Sequence, residues 1–133
     1  MSSLILATTL AMAGQHDLAD LAKARFDAAS KLYDTAWISY RENRVSTGFV
    51  NFTSVRLLRA ELELSDKKDT QIAPFEHHLS RVKKTQDLVA KVAALGRTND
   101  LEANETSYYR AEAEYWLAHA RSSRKTTAAE PGP

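Results

Sequence analysis

Between Gln15 and Arg44 the chain runs without one glycine or proline. A run of that length with no turn-former is too long for a strand, which leaves helix or disorder. Disorder is disfavoured by composition, since 44% of the 133 residues are hydrophobic and 26% charged, ordinary values for a globular domain. The apolar positions Ala22, Phe26, Ala29, Tyr33, Ala36 and Tyr40 alternate steps of four and three, tracing one stripe along a helix. Leu18, Leu21, Ala28, Leu32 and Trp37 widen it. About 28 residues of helix are roughly 42 Å long.

The remaining punctuation divides the chain. Val45-Ser46-Thr47-Gly48 reads as a turn, and a second helix follows from Phe49 to Ser65 with Phe52, Val55, Leu58 and Leu62 on one face. Residues 67–73 form a polar linker. Pro74 suits the first turn of a third helix, where its missing N–H costs nothing, and Gly96 falls where a C′ glycine belongs. Thr98, Asn99 and Asp100 offer caps for a fourth helix that ends near Lys125. Asp100, Glu102 and Glu105 at its start and Arg121, Arg124 and Lys125 at its end follow the helix dipole. One domain is expected: an apolar segment over 1–14, hairpins over 15–66 and 74–125, and a flexible tail over 126–133.

The two hairpins repeat each other in sequence. Arg59-Ala60-Glu61 returns 51 positions later as Arg110-Ala111-Glu112. The same shift aligns Thr47 with Thr98, Leu57 with Tyr108, Leu58 with Tyr109, and Glu63 with Glu114. The expectation is an all-α fold, a four-helix antiparallel bundle or two coiled-coil hairpins related by an internal repeat. Ala22, Ala29, Ala36, Ala111 and Ala118 would let backbones approach while aromatic rings fill the gaps.

Charge and composition exclude several functions. Eighteen basic and seventeen acidic residues leave a net charge of +1, without the basic excess that phosphate neutralisation demands, so no nucleic-acid partner is expected. With no cysteine there are no disulfides, thiol nucleophiles or thiolate metal sites. No apolar run approaches the ~20 residues of a membrane-spanning helix. Leu4 to Ala13 is apolar, and Ala11-Met12-Ala13 before Gly14 fits a signal-peptide cleavage site, although no Lys or Arg precedes it. Export to the periplasm or beyond follows if residues 1–13 are a leader; a cytoplasmic chain with an apolar N-terminal helix turn is the other reading.

Few residues group in patterns that carry chemistry. Glu76-His77-His78 holds metal-ligand types, but adjacent helical residues point about 100° apart, so His77 and His78 do not converge on one ion. No glutamate has a histidine three residues on, as di-iron bundles require. Arg59 with Glu63 and Arg110 with Glu114 are i,i+4 ion pairs, worth about 0.2–0.5 kcal/mol each, and account for the clustered glutamates. His16 and His119 stand singly. No catalytic, metal or cofactor residue is assigned. Tyr108, Tyr109, Tyr115 and Trp116 make the fourth helix the most aromatic. By the repeat, most of these rings replace core leucines, and whatever stays exposed is the candidate partner surface.

The turn "GRTNDLEA" leading into "YYRAEAEYWLAHAR" resembles the helical hairpin repeats of the TolC-like outer-membrane efflux family. Gly96, Thr98, Asp100, Leu101 and Ala103 carry the resemblance in the second hairpin, and Gly48, Val50 and Ser54 match more loosely in the first. Members of that family are longer and carry barrel strands, whereas nothing here alternates apolar and polar residues over the ~10 positions of such a strand. The resemblance implies coiled-coil hairpins without a pore. The expected role is therefore a non-catalytic helical module, self-associating or docking on a helical partner, in the cell envelope; the alternative is an efflux-associated component without its barrel.

Overall fold

The Ala22–Tyr40 stripe becomes the inner face of α1 (Ser2–Arg41). It lays Ala29, Tyr33 and Ala36 against Val50, Leu57 and Ala60 of α2 (Thr47–Leu64), and Phe26, Trp37, Tyr40 and Val45 close the edges. A second hairpin joins α3 (Ala73–Ala94) to α4 (Asp100–Ala129). The computed structural model describes residues 2–64, 71–97 and 99–129, with side chains from 17 to 124 within those ranges. Among the described residues there is no strand, and the fold is the expected all-α arrangement of two packed hairpins. The linker residues 67–70, Thr98 and residues 130–133 lie outside the described set.

α2 is the centre of the molecule. It packs on α1, α3 and α4, whereas α3 and α4 otherwise pack on each other. Three neighbours bury more of its circumference than its apolar stripe covers. Thr47, Asn51, Thr53 and Ser54 are consequently buried together with Val50, Val55 and Leu58. Phe52, expected on the core face, is instead 43% exposed beneath the Arg56 guanidinium. Thr47 Oγ1 donates across to Glu102 Oε1 of α4 at 2.9 Å. Thr53 and Thr106 are instead satisfied within their own helices, Thr53 Oγ1 donating to the Val50 carbonyl at 2.7 Å and Thr106 Oγ1 to the Glu102 carbonyl at 2.9 Å. Such back-bonds let a hydroxyl enter a helical core without an orphan donor.

The first turn differs from the expected one. Gly48 does not make it but lies inside α2, with the Glu105 side chain packed over it. The chain turns at Asn43, whose φ of 60° is left-handed. Asn43 N donates to the Tyr40 carbonyl at 2.9 Å and Arg44 N to the Ser39 carbonyl at 2.8 Å, the pair of bonds of a Schellman cap. The second hairpin repeats the device at Gly96, with φ of 71°, Gly96 N on Ala93 O at 2.9 Å and Arg97 N on Val92 O at 3.1 Å. Each following helix is capped three residues beyond: Ser46 Oγ accepts from Phe49 N, and Asn99 Oδ1 from Glu102 N.

These matched turns place the structural repeat at a shift of 53 residues, where the sequence reading put it at 51. At 53, Ala29 falls on Val82, Ala36 on Val89, Thr53 on Thr106 and Ala60 on Ala113, and all eight are buried. At 51, buried Ala60 falls on exposed Ala111, and buried Leu57 on exposed Tyr108. Two residues are 200° of helix, so the repeated Arg-Ala-Glu motif points to different sides in its two copies. Accordingly Arg110 pairs with Glu114 at 3.0 Å, but Glu63 takes Arg25 of α1 instead of Arg59.

That Arg25–Glu63 pair lies at the last turn of α2, so the N-terminal part of α1 runs on for about 35 Å past its partner. Leu18 and Leu21, expected to widen the core stripe, are exposed there. α4 likewise continues to Ala129, past the expected end at Lys125, and its last turn carries no basic residue.

Candidate functional site

A buried polar cluster sits where α2 meets α3. Ser54 on α2 and His78 on α3 face each other because both lie on helix stripes continuous with the apolar core, Val50–Leu58 on one side and Val82–Val89 on the other. Ser54 Oγ and His78 Nδ1 are hydrogen-bonded at 2.8 Å. From one turn further along α3, Arg81 Nε donates to Ser54 Oγ at 2.7 Å and its Nη2 to the Ser54 carbonyl at 3.1 Å. The Arg81 guanidinium also lies 5.5 Å from the ring centre of Tyr33, tying α1 into the cluster. The Trp116 ring of α4 closes it, 5.8 Å from the imidazole.

The electrostatics follow from burial. Desolvation, reinforced by the Arg81 charge and opposed by the hydrogen bond to Ser54, lowers the His78 pKa to about 4, so the ring is neutral at pH 7. Burial also lowers Arg81 and raises Tyr33 from their ordinary values. A serine hydrogen-bonded to a neutral histidine has two members of a nucleophile-activating set. Here Ser54 and His78 are sealed from solvent, and His78 Nε2 meets no carboxylate. The arrangement joins all four helices, with Ser54 and His78 at 1% and 0% exposure. His77, next in sequence, points outward and pairs with Glu61 at 2.7 Å, so the two histidines diverge as helix geometry requires. Among the described residues no group of three potential ligands converges on a metal position.

The candidate partner residues divide between two faces of α4. Tyr109 and Trp116 turn partly inward, while Tyr108 and Tyr115 are 62% and 67% exposed. The expectation that most of these rings are core fails for Tyr108 and Tyr115, because it rested on the 51-residue alignment. Their neighbours extend the outer face: Leu101, Asn104, Tyr108, Ala111, Tyr115 and Ala118 are all exposed and alternate steps of three and four. That spacing is the a/d seam of a coiled coil, with ring and small side chain alternating at knob and hole. Tyr108 and Tyr109 stack edge to face, and the Tyr108 hydroxyl donates to Glu112 Oε2 at 2.9 Å.

Two grooves flank this helix. One, of about 470 Å³, is walled by Leu62, Ile72, Phe75, Tyr115 and Trp116 at the end of the bundle where Gln71 Nε2 caps the Leu62 carbonyl. The larger, of about 760 Å³, runs along the outside of α3 between α1 and α4. Neither was legible in the sequence, because each combines residues from three helices. Comparison with protein-family models, with curated proteins and with solved structures finds no match.

Proposed function

We propose that the chain is a non-catalytic helix-docking module whose working surface is the outer seam of α4. The observation that carries this reading is the uninterrupted exposed sequence Leu101, Asn104, Tyr108, Ala111, Tyr115, Ala118 at coiled-coil spacing on a helix whose opposite face is already packed. Exposed apolar surface of this regularity marks an interaction site in soluble folds, and a helix laid along it would be held at the i, i+3, i+7 anchors of helix-in-groove recognition. The sealed Ser54–His78 pair supports a non-enzymatic role. The test is association of the purified protein, with itself or with a partner retained from its native source, measured for the wild type and for Tyr108→Ser/Tyr115→Ser. Loss of association with unchanged helicity is expected; full retention by the variant overturns the reading.

Location in the cell envelope is a narrower proposal that rests on Leu4–Ala13 and the Ala11-Met12-Ala13-Gly14 site; mature protein beginning at Gly14 is its expected signature. Kinship with TolC-like hairpins is favoured by the two matched units of helix, left-handed turn and capped helix. Co-fractionation with outer membranes is its test.

A further inference from the structure

The groove outside α3 carries a charge pattern that matches the α4 seam. Arg41, Lys83, Lys84, Lys91 and Arg121 line it against Glu76 and Asp87, so it is basic, with Trp37, Leu79 and Leu88 as apolar walls. Lys84 Nζ rests 4.4 Å over the Trp37 ring. Among the described residues, Glu76, Lys83, Lys84, Lys91 and Arg121 form no ion pair within the chain. The α4 seam is bordered by Glu112, which accepts from the Tyr108 hydroxyl, and by Glu114, which pairs with Arg110 on its own helix. Self-pairing of two α4 seams would bring these acids together, whereas the α3 groove offers them lysines.

One antiparallel alignment, held to within one residue, matches most levels of the two surfaces. With Arg121 of α4 set against Glu76 of α3, Glu114 falls on Lys83, and Glu112 comes one residue from Lys84. In the same register Ala118 falls on Leu79, while Tyr108 and Leu101 come one residue from Leu88 and Leu95, with Leu101 and Leu95 68% and 69% exposed. It is also the register of the intrachain α3–α4 hairpin, where Arg110 Nη1 donates to Gln86 Oε1 at 2.5 Å. A neighbouring chain therefore docks without axial offset. The groove, from Glu76 to Lys91, spans about 22 Å and the seam about 25 Å.

We propose that the α3 groove receives the α4 seam of a second copy of this chain. The inference rests on the helix-docking reading and names its partner. The two surfaces differ, so the contact is head-to-tail, and copies add on until a ring closes or a filament forms. Sedimentation velocity and light scattering on the whole protein test this. The mass should rise above the 14.8 kDa of one chain with increasing concentration. Opposite charges across the contact should weaken association about tenfold or more between 0.05 and 0.5 M NaCl.

Lys83→Glu/Lys84→Glu and Glu112→Lys/Glu114→Lys, all exposed or half-exposed positions, should each abolish growth while circular dichroism stays helical. In the first variant both surfaces are acidic, and in the second both are basic, so neither pairs with itself. Mixed together, each supplies the charge that the other lacks. The intact seam of the first meets the intact groove of the second, and the two reversed surfaces attract as well. The equimolar mixture should therefore regain growth, with the two variants alternating. A wild type that stays at single-chain mass up to about 1 mM, growth that survives either charge reversal, or a mixture that stays monomeric overturns the proposal. If the wild type is monomeric yet the Tyr108→Ser/Tyr115→Ser variant loses a foreign partner, the second-copy inference fails and the helix-docking reading stands; absence of both associations ends both.

Discussion

His78 is the residue at which burial and charge are most at odds. Its pKa of about 4 in the fold lies below the ordinary 6.5, so between those values the unfolded chain binds a proton that the folded chain does not. Stability then rises with pH across that window, and is lost as pH falls from about 6.5 toward 4. The loss expected from this one ring is roughly 1 kcal/mol by pH 5.5 and about 3 by pH 4. Urea unfolding between pH 7.5 and 4.5 should show that slope for the wild type, and His78→Gln should flatten it. A slope unchanged in the variant would show that the ring is already protonated or solvated. Two other residues give sharp stability readouts. Leu58, 2% exposed on the central helix, should cost about 2–5 kcal/mol as Leu58→Ala. Gly96→Ala should cost about 1 kcal/mol despite open space around the Cβ, because its φ of 71° is strained for any L side chain. Gly48→Ala is the control: it lies in a helix, and the carboxylate it would meet is the free end of Glu105, which can swing aside.

Among the elements, α4 carries two apolar faces. Ala113 and Leu117 face the bundle, whereas Tyr108 and Tyr115 face out. Stability and association should therefore separate by face. Tyr108→Ser and Tyr115→Ser should each change unfolding free energy by no more than about 0.5 kcal/mol, as exposed positions do. Trp116→Ala, which strips the ring from over His78, should cost several times as much, about 2 kcal/mol or more, since the ring is half-buried. Chemical denaturation of the three variants distinguishes these outcomes, and equal costs would mean that the outer seam is packed. The helix ends were partly readable: Asn99 and Gly96 were expected as cap and stop, and both act so. Asn43 and Ser46 were not, because an asparagine in the left-handed conformation leaves no mark as plain as glycine, and Gly48 nearby drew the turn toward itself.

For the molecule as a whole, the pairing of α1 with α2 ends near Arg25. Leu18→Ser and Leu21→Ser, at positions 69% and 63% exposed, should each shift the unfolding free energy by no more than about 0.5 kcal/mol; a larger loss, read from thermal or urea unfolding, would reveal a partner for that part of α1. The all-helical class, the four segments and the α1 core stripe were legible because they depend on local rules: period, caps and the scarcity of turn-formers. The candidate surface was legible as a set of aromatic residues, though not as an exposed seam. Which side of a helix is buried depends on how many neighbours surround it, and Thr47, Asn51 and Ser54 entered the core only because α2 has three. The true repeat was hidden for the same reason. Matching residue types aligned Arg59 with Arg110, while matching surroundings align Asn43 with Gly96 and Ala60 with Ala113. Residue order alone determined that this chain makes helices and roughly where they stop. Their docking around α2 decided which faces are left for a partner, because burial is a property of neighbours and a linear pattern does not carry the rotation of one helix against another.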